Sequence, residues 1–256
     1  MPLIPFRRKS CLYCVGAAKT GTHSVSAMFD KKVRTQHEAE FEEVIQKILQ
    51  LLSGKVEEQS IKEYLQQRNK RLNLEIDSSQ LNFFFLDHLL KEFSDARFLL
   101  TIRDCYSWLD SFINDSLRRT TSENWINLRK ARFGFDKFAH QPQEKILADN
   151  GLYTLDGYLS YWASHNTKVL QAIPQEKLLV IRTQDISTSA NLIADFASIS
   201  RKRLLNHKTH VFKNPTKYKI LQKIDRDFLE LKVDQYCSDI MKEFFPEIKR
   251  IEDAFD

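Results

Sequence analysis

Three short runs of this chain are apolar enough to be buried on both sides: Cys11–Val15 (CLYCV), Ala96–Arg103 (ARFLLTIR) and Lys177–Arg182 (KLLVIR). Each is too short for a core helix and is followed by a longer stretch with helical character, which predicts strands of a parallel sheet. A weaker strand is expected at Leu72–Ile76, closed by Asp77-Ser78-Ser79, which also offers a cap for the next helix. Helices are predicted over Thr22–Phe29, Glu38–Leu52, Ser60–Leu72, Gln80–Phe93, Tyr106–Leu117, Leu155–Ala172, Ile186–Ile199 and Asp225–Phe245. The clearest period is Phe41, Val44, Ile45, Ile48, Leu49, Leu52. Asp30–Gln36 reads as a polar connector and Ser200–Thr216 as a basic loop. Residues 118–154, basic with Trp125, Phe133, Phe135 and Phe138 interleaved, read as helices and loops outside the sheet. The alternation predicts an α/β three-layer sandwich, a central parallel sheet with helices on both faces. In that architecture ligands bind at the carboxyl ends of the strands.

The bulk numbers narrow the picture modestly. A chain of 256 residues, 42% hydrophobic and 29% charged, suits one domain spanning 1–256 with a sizeable core. The formal charge of +5 is mild and no Lys/Arg run is long, so nucleic acid is not expected as a partner, whereas an anionic small ligand fits. Cys11 and Cys14 are spaced C-x-x-C, but on a strand their side chains would point to opposite faces, and no second pair completes a zinc site. With Cys105 and Cys237 they read as core thiols of a reducing cytosol, so a cytoplasmic location is expected. MPLIPFRRKS is too short and too broken by proline for a signal peptide, and no apolar run reaches the length of a membrane span.

Candidate chemistry concentrates first at Gly16–Ser24. A strand, a small-residue loop and a helix opening at Gly21 aim backbone N–H groups and a helix dipole at one point, an arrangement suited to a phosphate. Four residues separate Gly16 from Gly21, as in a Walker A loop, but Thr22 and His23 stand where that motif has Lys and Ser or Thr. The lysine has moved inside the loop, to Lys19. A second candidate is IRDCYSWLDS, in which Arg103 ends a strand and Ser111 lies about two turns into the next helix, with Ser107 one turn nearer. An arginine fork and a serine hydroxyl make a phosphate grip; Arg103 pairing with Asp104 or Asp110 is the competing reading. The third candidate is the basic segment Arg201–Lys213, which as a charge run is otherwise a solvated loop.

Together these stretches resemble the sulfotransferases that use 3′-phosphoadenosine 5′-phosphosulfate (PAPS). AAKTGTHS resembles that family's loop for the 5′-phosphosulfate, and Arg103 with Ser111 eight positions later resembles its 3′-phosphate motif. The likeness extends loosely to LVIRTQDI and to the basic segment before the last helix. The resemblance implies a P-loop NTPase-like fold and in-line transfer of a sulfuryl group from PAPS to an acceptor hydroxyl, with adenosine 3′,5′-bisphosphate (PAP) as product and no metal. It implies that Ala18, Lys19, Thr20, Gly21, Thr22, His23 and Ser24 hold the 5′ end of the donor, Lys19 also steadying the bridging oxygen. Arg103 and Ser111, with Lys208 and Lys213 from the basic segment, would hold the 3′-phosphate; the family's Arg-Lys-Gly motif is absent there. The turn Thr183-Gln184-Asp185 stands where some members carry Tyr-Glu-Asp.

The acceptor hydroxyl needs a base. Asp77-Ser78-Ser79 occupies the place where histidine-base members carry Lys-Thr-His, so that base is missing and these residues are expected to border the acceptor. RTQHEAEF, Arg34 to Phe41, resembles instead the glutamate-base stretch of the tyrosyl-protein and bacterial carbohydrate branches. Glu38 is the candidate base, with His37 as rival; Glu38 as an ordinary first-turn helix residue is the alternative. Trp162, His165 and Asn166 share a helix and face either the cleft or the core. The acceptor is expected to be a small molecule or carbohydrate, with residues 118–154 as a helical insertion on its side. Two other functions stay open: an ATP-dependent kinase, which the missing lysine after Gly21 disfavours, and an inactive nucleotide-binding module.

Overall fold

The computed structural model describes residues 8, 11–205 and 217–255. Its strands are β1 (Leu12–Cys14), β2 (Thr35–His37), β3 (Ile76–Ser78), β4 (Arg97–Ile102) and β5 (Leu178–Arg182), and its α-helices α1 (Thr22–Ala27), α2 (Phe41–Leu52), α3 (Glu58–Leu72), α4 (Leu86–Glu92), α5 (Cys105–Arg118), α6 (Glu123–Arg132), α7 (Lys145–Asp149), α8 (Leu155–Ala172), α9 (Ala190–Phe196) and α10 (Arg226–Phe244). The strands form one sheet in the order β2-β3-β1-β4-β5, every pair parallel. The chain leaves β1 toward β2 and returns past it to β4, so the strand order reverses between β1 and β4. That reversal opens a crevice at their carboxyl ends.

Alternation along the strands feeds two cores. Cys11, Tyr13 and Val15, with Phe98, Leu100 and Ile102, face the larger one, roofed by α2–α5, α8 and α10. Leu12, Cys14 and Leu99 face the smaller one, closed by Val25 of α1 and Ile193 and Ala194 of α9. Three layers result. Cys11 and Cys14 enter opposite cores, and both are free thiols, as are Cys105 and Cys237. No helix among the described residues is long and apolar enough to cross a membrane.

The sheet departs from the sequence reading on one side. Thr35–His37 is a strand, not a connector; it pairs only with β3 among the described strands and is partly exposed, so nothing selects an apolar run there. β3 lies C-terminal of the expected strand and contains Asp77 and Ser78, all three of its residues being buried. Ser79 does cap the next element, accepting from the Leu81 amide, but that element is a 3₁₀ turn, Gln80–Phe85, before α4 begins. The helix expected from Glu38 starts at Phe41, because Glu38 and Glu40 both adopt left-handed backbone, φ 51° and 56°. Of residues 118–154, Arg118 ends α5 and the rest form α6 and α7 with short turns and loops, outside the sheet. Lys208 and Lys213 lie outside the described residues; just before them, Leu204 bridges to Phe29.

Gly16 marks the tightest approach in this architecture. A Cβ there would collide with the Thr101 side chain and sit 2.7 Å from its carbonyl oxygen and 2.6 Å from Thr20 Oγ1. Backbone cannot yield as a flexible side chain does, so Gly16→Ala should cost about 2–3 kcal/mol by urea denaturation, within the range for overpacked interiors. Gly54→Ala, which meets only open space but has φ +65°, should cost about 1 kcal/mol.

Candidate active site

The loop after β1 is shaped by where its carbonyls go. His165, on α8, donates Nε2–H to the Val15 oxygen at 2.8 Å; burial pulls its pKa down to about 3, so the ring is neutral. The Ala17 oxygen takes the Thr20 hydroxyl at 2.7 Å, the Ala18 oxygen takes Trp108 Nε1–H at 2.8 Å, and the Thr20 oxygen takes the Thr183 hydroxyl at 2.8 Å. Arg103 Nη1 approaches the Lys19 oxygen at 3.5 Å. With these acceptors fixed on the protein side, Lys19 is held at φ 68° and Gly21 at φ 103°. The amides that open α1 are left without helical partners, next to the cleft.

Above this loop lies a cleft of about 1300 Å³. That exceeds the usual span of a single small-ligand pocket, about 300–1,000 Å³, and leaves room for two reactants. Ala18, Lys19, Gly21, Thr22, His23 and Ser24 line it, as do His37, Glu38, Arg103 and Ser111, so residues from the ends of β1, β2 and β4 converge. Thr20 is the exception within the loop: it is 0% exposed, and its hydroxyl is spent on Ala17 and, at 2.8 Å, on Thr101 Oγ1. Its side chain builds the loop and does not line the cleft.

Arg103 pairs with neither acid that the sequence offered. Asp104 caps α5 through the Ser107 amide and takes the Ser107 hydroxyl, and Asp110 pairs with Lys217 at 2.7 Å. Ser107 Oγ in turn accepts from Arg103 Nε at 2.8 Å, and the Arg103 carbonyl accepts from Trp162 Nε1 at 3.1 Å. The guanidinium is thus oriented from behind, among the described residues without a carboxylate partner, and Ser111 stands one turn beyond Ser107 on the cleft wall. Trp162, His165 and Asn166 are core residues.

Lys19 meets Asp115 on α5 at 3.2 Å, and Asp115 also holds Arg119 at 3.0 Å and Arg118 at 3.4 Å. Burial pulls the Lys19 pKa down and the Asp115 carboxylate pushes back. The spacing of Asp115 from Arg103 carries no motif, so pattern alone does not find it.

Asp77, Ser78 and Ser79 do not border the cleft; they are 5%, 0% and 2% exposed. The Ser78 hydroxyl donates to the Thr22 oxygen at 2.6 Å. Asp77 forms a buried ion pair with Arg68, whose other nitrogen donates to the Ala39 oxygen at 3.1 Å. Arg71 grips Glu40 at 2.9 and 3.0 Å. Two arginines of α3 therefore clamp segment 38–40, left-handed at Glu38 and Glu40, and fix Glu38 at the cleft edge. Gln80, the next residue after the buried trio, lines the cleft: its Nε2 donates to Glu38 Oε1 at 2.7 Å, and its Oε1 accepts from Arg132 at 2.8 Å. Nothing in the sequence singles out Gln80 or Arg132, because they meet only through the packing of α6 over α2.

The two candidate bases sit differently. Burial raises the Glu38 pKa, with Gln80, Arg132 and Arg119 opposing. Burial and then His23 push the His37 pKa down to about 4, and its Nε2 lies 3.1 Å from Thr22 Oγ1. Glu38 is thus a largely desolvated carboxylate of raised basicity at the cleft edge, with one oxygen anchored by Gln80.

A raised folded-state pKa means the Glu38 proton is held more tightly folded than unfolded. Its contribution to stability is present in full below the usual carboxylate range and is lost as pH rises through the raised value. Glu38→Gln keeps an acceptor for Gln80 and removes the buried charge. It should raise the melting temperature at pH 7, and the gain should vanish near pH 4. His37 works the other way: its neutral ring stabilises the fold above pH 6.5, and this is lost as pH falls toward about 4.

Residues 12–187 match the family model described as "Sulfotransferase domain". Among solved structures the chain is similar to a sulfotransferase from Alicyclobacillus acidocaldarius, at 14% identity and a TM-score of 0.46, covering 91% of this chain and 96% of that one. It is also similar to the sulfotransferase domain of the olefin synthase from Synechococcus PCC 7002, at 14% identity and a TM-score of 0.38, covering 89% of this chain and 87% of that one. No curated protein matches the chain. The family match takes in every strand of the sheet, the Gly16–Ser24 loop, Glu38, Arg103 and Ser111. By that match the chain belongs to the sulfotransferase domain family.

Proposed function

We propose that the chain transfers a sulfuryl group from PAPS to a hydroxyl of a small-molecule or carbohydrate acceptor, releasing PAP. The observation that carries this reading is the convergence of the Lys19 loop, Arg103 with Ser111, and Glu38 on one cleft. The loop amides, with Thr22, His23 and Ser24, take the 5′-phosphate of the donor. Arg103 and Ser111 take its 3′-phosphate. In the reaction the sulfur–oxygen bond to the bridging oxygen breaks as the acceptor oxygen bonds to sulfur. The electron pair leaves on the 5′-phosphate, and Glu38 takes the acceptor's proton. Lys19 neutralises the charge growing on the bridging oxygen, a preorganised contact of the kind worth several kcal/mol in a desolvated site. Asp115 holds Lys19 near this position and opposes the loss of its proton on burial. This chemistry uses no metal.

The donor assignment is tested by thermal shift. PAP without magnesium should raise the melting temperature; ATP with magnesium should do little, and the reverse ranking would favour a kinase. Arg103→Ala should raise the KM for PAPS at least tenfold with a smaller change in kcat, because the 3′-phosphate is remote from the transferring sulfur.

A second measurement separates the two chemical roles. Lys19→Ala and Lys19→Met should each lower kcat by about 10²–10³, the usual loss for one transition-state contact. Glu38→Gln should lower forward transfer comparably. In reverse exchange from an aryl sulfate with a good leaving group to PAP, proton transfer matters little, so Glu38→Gln should keep much of that activity while Lys19→Ala loses it. Full forward activity in Glu38→Gln would move the base to His37, with His37→Asn as the next variant.

A further inference from the structure

We propose that the acceptor carries a fixed anionic group beside the hydroxyl it offers, and that this group is bound by Arg129 and Arg132. The inference rests on the sulfotransferase reading of the cleft and names the acceptor class. Both arginines stand on α6, one turn apart, and both line the cleft. The other cations there are accounted for. Lys19 and Arg119 pair with Asp115, Lys217 pairs with Asp110, and Arg103 is assigned to the donor. Among the described residues, neither Arg129 nor Arg132 has a carboxylate within ion-pair distance. The Nε atoms of both are buried without a hydrogen-bond partner.

What surrounds them is aromatic. The Arg129 guanidinium lies 5.5 Å from the Phe112 ring centre, and that of Arg132 lies 5.7, 5.1 and 5.4 Å from those of Phe112, Phe133 and Tyr161. Such ring contacts offset part of the cost of desolvating an ion but do not neutralise its charge. Two like charges side by side add repulsion, and burial together with Arg132 pulls the Arg129 pKa down. A purely structural role would be better filled by apolar side chains. Two guanidinium groups at a cleft wall with no carboxylate partner among the described residues, one of them steadied by Gln80, match a carboxylate or a sulfate or phosphate ester.

The geometry also sets the distance between the anion and the reacting oxygen. Arg132 and Glu38 engage opposite ends of one amide, that of Gln80, at 2.8 and 2.7 Å. The acceptor therefore places its anionic group within about one side-chain amide of the hydroxyl, on the same ring or the adjoining one. Phe41 and Trp125, stacked at 6.2 Å and both lining the cleft, offer a flat face for that ring.

The test uses the full chain loaded with PAP, and matched ligand pairs in which only one member carries an anionic group: 4-nitrophenyl β-glucuronide against the β-glucoside, 4-nitrophenyl β-glucoside 6-sulfate against the same glucoside, and 4-hydroxybenzoate against 4-hydroxybenzamide. Calorimetry gives Kd for each, and PAPS turnover gives kcat/KM. The anionic member should be favoured at least tenfold in one or more pairs, and the pair that responds distinguishes a carboxylate from a sulfate ester. Arg129→Gln should reduce that ratio to below threefold, Arg129→Lys should retain part of it, and both variants should still be stabilised by PAP. Absence of a preference in every pair, with PAP binding intact, overturns the inference and leaves the sulfotransferase reading standing. So does an Arg129→Gln variant that folds but loses PAP binding, since the arginine would then belong to the donor. If wild type neither binds PAP nor turns over PAPS, the sulfotransferase reading fails and the acceptor assignment falls with it.

Discussion

The site depends on how closely the loop after β1 lies against the end of β4. Gly16 presses on Thr101, the buried Thr20 hydroxyl bonds to Thr101, and the Val15 amide donates to Leu99 at 2.9 Å. Thr183 then crosses the seam, donating to the oxygens of both Thr20 and Ile102. These contacts bring Lys19 beside Arg103 and so set the separation between the two ends of any ligand that both would hold. A loop displaced outward by a single methyl would change that separation without altering one functional group.

Much of the polar work behind the cleft is done by large core residues. Trp108, Trp162 and His165 fill the interior between the sheet and α8, and each uses its single N–H on a carbonyl of the site loops. Bulk packing and loop orientation are thereby one constraint, since such a ring cannot shift without breaking a buried hydrogen bond. On the other side of the cleft the Arg68–Asp77 pair plays the corresponding part for segment 38–40. A buried ion pair contributes little net stability, but it costs a great deal to disrupt by halves. Its worth here is that it fixes a left-handed backbone.

Burial on both faces and local spacing are the two signals that show in the sequence. β1, β4 and β5 announce themselves as apolar runs, α8 as a period closed by Pro174, and the Gly16–Gly21 loop and the Arg103–Ser111 pair by fixed separations along the chain. Asp77-Ser78-Ser79 misleads because a polar trio looks like a turn; its polarity is consumed inside the fold by Arg68, Thr22 and the helix cap. Gln80, Asp115, Arg129 and Arg132 are illegible for another reason. Each acts across a packing interface between elements distant in sequence, and nothing local distinguishes them from solvated residues. A faint signal exists in the helical spacing of Trp125, Arg129 and Arg132, which puts them on one face of α6.

The strand that hid best, β2, has a further consequence. It forms one margin of the sheet, and its outer backbone groups are the kind of template on which another extended chain can dock and spread into an aggregate. Three residues, Thr35, Gln36 and His37, give such a chain little length to bind and no greasy face to hold it. The polarity that concealed the strand from pattern reading is thus also its protection. A substitution there toward Val or Ile would make the strand easy to recognise and, by the same change, adhesive.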